Sequence, residues 1–162
     1  MMSCESYLLD ERALAIKPIF TGDYQSEIFT THGIYYSKLK PRDLLNLACL
    51  NYFSTKKGRM HAATILLGYS RKPPFMISPK GLGVFPTESP DNANCVWIFN
   101  HRIKIEKITK TESVVTFMNG TTINVKASKH IIDKQNHRLH TLLSLSFVMD
   151  RERALYLNAG LN

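Results

Sequence analysis

The sequence predicts an α+β domain built on a largely antiparallel β-sheet or partly open barrel, with a middle helix and a C-terminal helix. Three observations lead there. Short runs rich in β-branched and aromatic residues are separated by turn residues. An Asn-Gly pair stands between two such runs. Only two stretches space their apolar residues at helical period. The 162 residues fit one domain, 1–162, and 44% hydrophobic with 21% charged residues excludes wholesale disorder.

Each element follows from its residues. Tyr7 to Ile16 reads as two short β-segments around Asp10-Glu11-Arg12, and Ile28 to Ser37 as a strand broken at Gly33. Pro41 suits the first turn of a helix over 42–53, where Leu44, Leu45, Leu47, Ala48, Leu50 and Phe53 supply the buried period. Lys56-Lys57-Gly58-Arg59 is expected to end that helix, its bases complementing the dipole. Ala62 to Tyr69 then reads as a strand, closed by Arg71-Lys72-Pro73-Pro74, which no helix tolerates. Prolines and glycines between Phe75 and Pro90 allow only short strands and turns, and Gly81-Leu82-Gly83 is a turn. Val96 to Ile108 reads as one long strand. Val114–Met118, Asn119-Gly120 and Thr121–Val125 form a hairpin, expected to turn as type I′. Ser128 caps a final helix to about Arg151, with Ile131, Ile132, Leu139, Leu142, Leu143 and Phe147 as its buried stripe. Trp97, Phe85 and Phe117 are expected in the core. The chain thus divides into acidic strands 1–36, a basic core 37–127, a helix 128–151 and a tail 152–162.

Charge is regional. The whole chain carries +8, yet residues 1–30 carry −3, and between Lys38 and Lys80 nine bases accompany Asp43 as the only acid. Such an excess suits a polyanion, either nucleic acid or an anionic membrane surface, or serves solubility alone. Cys4, Cys49 and Cys95 form no CxxC pair, and Cys49 and Cys95 lie in apolar runs as small buried hydrophobes. The N-terminus lacks a basic n-region, and the longest apolar run, near 141–149, is too short to span a bilayer, so a soluble, cytoplasmic protein is expected, nucleoid-associated if its polyanion is DNA.

Chemical motifs are sparse. There is no GxSxG, no phosphate-binding glycine loop and no carboxylate pair in the basic region, which argues against an enzyme; no cofactor is expected. His130, Asp133, His137 and His140 share a helical face with Lys129, Lys134 and Arg138, and the solvated reading outweighs a metal site. The basic clusters are more informative. Lys56, Lys57 and Arg59, then Arg71 and Lys72, bracket one apolar segment and are the leading candidates for phosphate or minor-groove contact, with Arg102 and Lys104 next. No helix sets a Lys-rich face against an apolar one with aromatic anchors, which disfavours a membrane role. A helix-turn-helix is not expected, because a β-segment follows the helix over 42–53; a strand or loop reader of the minor groove is.

The run Arg71-Lys72-Pro73-Pro74-Phe75-Met76-Ile77-Ser78-Pro79 is similar to the KPP-apolar-M-x-x-P segment of the competence transcription factor family, ComK. Phe85-Pro86-Thr87, Cys95-Val96-Trp97-Ile98 and Thr116–Gly120 follow in order, with Ser128, Gln135 and Arg138 in register. The likeness covers about residues 5–150. It implies a transcription activator of DNA-uptake genes that binds paired A·T-rich boxes through the minor groove as a homodimer or dimer of dimers. It also implies contacts with RNA polymerase and with an adaptor that delivers the protein to a Clp-type protease. The family's adaptor-recognising tail has only Ala154-Leu155-Tyr156-Leu157 in its place, which reads as a short or diverged member. The stretch 97–130 also looks like a LytTR-type DNA-binding domain or a PH-like module with an anionic partner.

Overall fold

A computed structural model describes residues 9–160. Its strands are β1 (Ala13–Pro18), β2 (Ser26–Thr30), β3 (Gly33–Ser37), β4 (Phe75–Ser78), β5 (Leu82–Pro86), β6 (Trp97–Phe99), β7 (Ile103–Lys107), β8 (Ser113–Phe117) and β9 (Thr122–Val125). The helices are α1 (Pro41–Leu50), α2 (Lys56–Leu67) and α3 (Lys129–Gly160). Six strands form one sheet in the order β3-β2-β1-β6-β5-β4, and β7-β8-β9 form a second. Every pairing is antiparallel, and neither sheet closes into a barrel.

Alternation of side chains along strands covered on both faces sets the layers. Ile16, Val84, Trp97 and Phe99 point to one face, where Leu44, Leu45, Ala48 and Cys49 of α1 complete a core. Ala15, Phe85 and Ile98 point to the other, against Val115, Phe117, Ile123 and Val125 of the second sheet and Ile132 and Leu139 of α3. The large sheet is therefore the middle layer, with α1 and α2 on one side and the second sheet with α3 on the other. Trp97, Phe85, Phe117, Cys49 and Cys95 are all buried, as expected. Burial pushes both thiols up to about 11. Gly83 marks the closest approach of α3: a Cβ there would stand 2.7 Å from Leu139 Cδ1 and 3.2 Å from the Phe75 carbonyl.

Several expectations are corrected. The segment Ala62–Tyr69 is not a strand: its first six residues are the second half of α2, so the middle helix is a pair. Thr55 caps α2 by accepting the Gly58 N–H at 2.9 Å, and Gly68 ends it in a left-handed conformation. α1 ends at Leu50, short of the expected 53, and Leu47, Leu50 and, beyond the helix, Phe53 are exposed, not buried. The long strand 96–108 divides between the two sheets at Asn100-His101-Arg102. There the Asn100 side chain accepts the Gly83 N–H and donates to the Gly81 carbonyl, while the His101 ring bonds the Ala13 carbonyl. The 114–125 hairpin forms, but Gly120 alone takes positive φ. The Gly120 N–H bonds the Phe117 carbonyl and Phe117 N–H the Thr121 carbonyl, giving a three-residue loop in place of type I′. Ser128 does cap α3, accepting the Ile131 N–H at 3.2 Å, but the helix runs nine residues past Arg151, and Phe147 is 70% exposed. Of the first predicted β-segment, Tyr7 and Leu8 lie outside the described residues, as does Cys4.

Candidate nucleic-acid interface

The bases of the first cluster stand at the opposite end of a helix from the one expected. Lys56, Lys57 and Arg59 open α2, with no acid in its first turn. Bases there add to the positive pole of the helix instead of offsetting a negative one. The local field is stabilising for a bound anion and unfavourable for the free helix. Asn46 of α1 fixes this end by accepting the Lys56 N–H at 2.9 Å.

The three side chains diverge. Lys57 lines a shallow groove with Thr55, Gly58, His61, Ser70 and Pro73, between α2 and the loop that carries Arg71 and Lys72. Lys56 turns inward: its ammonium lies over the Trp97 ring at 5.2 Å, and burial, reinforced by Arg42, pulls its pKa below the usual lysine value. Arg59 faces a second groove between α2 and α3, lined also by Leu66, Leu142 and Met149, where its Nε is buried without a partner among the described residues.

The Arg71-Lys72 loop is held by α3. Gln135, only 2% exposed within the apolar stripe, donates to the Lys72 carbonyl at 2.8 Å and the Pro86 carbonyl at 2.9 Å. Arg138 donates to the Arg71 carbonyl at 3.1 Å and to Gln135 Oε1 at 2.7 Å. Its guanidinium stacks 4.2 Å from the Tyr69 ring centre, and burial lowers its pKa. Thr64 of α2 donates to the Tyr69 carbonyl at 2.8 Å, so both helices grip the loop. Within it Lys72 has φ +47, a left-handed conformation that this framework imposes. Gln135→Leu is expected to leave two carbonyls without their donor and to cost about 1–3 kcal/mol, read as a lower urea midpoint at unchanged slope.

Arg102 and Lys104 do not join this surface. They lie at the start of β7, across the large sheet from α1 and α2, and Lys104 pairs with Glu106 at 3.2 Å. The structure thus gathers Lys57 with the Arg71-Lys72 loop, leaves Lys56 and Arg59 partly covered beside them, and places the last two candidates on another layer. Gln135 and Arg138 shape the loop, and Arg42 lies near Lys56. Two adjacent helices, α1 and α2, do occur, contrary to the expectation that excluded a helix-turn-helix.

His130, Asp133, His137 and His140 are all exposed on α3, and no three His, Cys, Asp or Glu among the described residues converge on a metal position. No helix among the described residues is long and apolar enough to cross a membrane.

The family described as ComK protein matches residues 4–151. The competence transcription factor of Bacillus subtilis (strain 168) is 29% identical over 137 residues, which cover 83% of this chain and 71% of that protein. No solved structure matches.

Proposed function

The chain belongs to the ComK protein family, and on that premise we propose that it is a transcription regulator of bacterial competence that binds A·T-rich duplex DNA and activates from it. The observation that supports the DNA contact is the groove lined by Lys57 at the positive pole of α2 and, across from it, by Ser70 and Pro73, the residues that flank Arg71 and Lys72. Phosphate is the ligand such a surface suits, with Lys57 on one wall and Arg71 and Lys72 in the loop that supplies the other. Lys56 and Arg59 reinforce its field from behind. Arg102 and Lys104, on the far layer, would serve a different stretch of backbone. The preference for the minor groove rests on the family likeness alone, since the α1–α2 pair removes the topological reason for it. Family likeness also brings the expectation of a dimer or dimer of dimers on DNA, and of contacts with RNA polymerase and a Clp-protease adaptor.

Gel shifts on A·T-rich and G·C-rich duplexes of equal length test this reading. Tight binding to the A·T-rich duplex, weakening steeply as salt rises, is expected. Equal affinity for the two would sink sequence-specific recognition. Binding to anionic vesicles without DNA binding would instead favour a PH-like module.

A further inference from the structure

We infer that Phe53 is a wedge that enters the base stack of the duplex held at the α2 groove, an inference that rests on the DNA-binding reading above. The ring is 101% exposed and belongs to neither hydrophobic core. Its backbone is left-handed, with φ +59. The Ser54 N–H bonds the Cys49 carbonyl at 3.1 Å and the Phe53 N–H the Leu50 carbonyl at 3.0 Å. These two bonds make the Schellman closure of α1, in which the left-handed position is usually glycine. A bulky side chain there strains the backbone and buries nothing in return. Strain of this kind persists where a function uses it.

The surroundings indicate the use. Phe53 stands two residues before Thr55, a wall of the groove, and three before Lys56, where α2 begins. Asn51, Ser54 and Thr55 flank it with hydrogen-bonding groups, and no acid occurs from Leu44 to Thr87. An apolar ring beside phosphate-binding bases is the composition of side chains that wedge between base steps and kink a duplex. A protein interface would centre on apolar surface depleted of charge. Here the apolar neighbours Leu50 and Tyr52 are 47% and 37% exposed, leaving Phe53 as the fully projecting group four residues before Lys57, the base that lines the groove.

The test uses the full chain and an A·T-rich duplex carrying 2-aminopurine in the box and a fluorophore pair at its ends. Wild type is expected to raise the 2-aminopurine signal and shorten the end-to-end distance. Phe53→Gly should bind roughly 10- to 100-fold more weakly and lose both signals. Because glycine relieves the left-handed strain, the same variant should melt about 2–4 °C higher. Phe53→Leu should keep part of the kink, since leucine also wedges. Unchanged affinity and unchanged signals in Phe53→Gly, with wild type binding, would overturn the wedge and leave the DNA reading intact. A lowered melt accompanying weaker binding would make the residue structural. A change in sedimentation of Phe53→Gly without DNA would assign the ring to self-association. Failure of wild type to bind the duplex at all would overturn both readings.

Discussion

Alanine at Lys57, Arg71 and Lys72 together lowers affinity for an A·T-rich duplex about a hundredfold near 0.15 M salt and flattens the dependence of log K on log salt by about 3. Each phosphate that a base neutralises contributes about 0.9 to that slope, so the loss of three contacts is read directly. The melt should hold, because the Lys57 ammonium packs in no core and the loop is gripped through its carbonyls, which alanine retains. An unchanged slope would show that these bases touch no phosphate. A lowered melt would show that they support the fold.

Trp97→Ala is expected to cost about 3–5 kcal/mol, a large share of the 5–15 kcal/mol that holds a typical domain. The indole lies in β6 in the middle of the large sheet, paired with Ile16 and Pro86 across its two neighbours. It meets Phe75 edge-on at 5.8 Å and carries the Lys56 ammonium on its face. Removing it opens a cavity in the helical-side core and withdraws the surface that holds the start of α2. Trp97 is the single tryptophan, so circular dichroism, not intrinsic fluorescence, must follow the unfolding. Loss of less than 1 kcal/mol would mean that the core collapses around the gap.

The strands were legible wherever the chain punctuated them. Asn119-Gly120 located the hairpin, and Pro and Gly spacing located β4 and β5, because turn residues act locally. The missed element, α2, buries only Ala63, so it has no apolar stripe for periodicity to find. Thr64-Ile65-Leu66-Leu67 looks like a strand for the same reason. The signals that were present are its ends, Thr55 before and Gly68 after, and the bases behind Thr55 mimic the C-terminal end of α1. The division of 96–108 between two sheets depends on Asn100 meeting Gly81 and Gly83, contacts no local pattern reveals. For the candidate interface, composition and motif pointed to Lys56, Lys57, Arg59, Arg71 and Lys72, with Arg102 and Lys104 next. They could not show that Lys56 turns onto Trp97 or that Lys104 sits on another layer, since both depend on tertiary placement. Gln135 hides among apolar neighbours, and a buried amide in a Leu-rich stripe is the one sign that it serves a backbone loop.

The pairing of β1 with β6 also sets a timetable. Ala15 lies opposite Ile98, so 83 positions of chain must be made after β1 before its second neighbour exists. At about 5–20 residues per second, the ribosome takes roughly 4–17 s over that stretch. Through that interval the β1–β2–β3 meander carries an open hydrogen-bonding edge, and Leu14 and Ala15, on the face away from α1, lack the second sheet and α3 that bury them in the finished fold. The sheet therefore closes at its centre last, and the newborn chain is most open to strand capture by another copy while its middle third is still being synthesised.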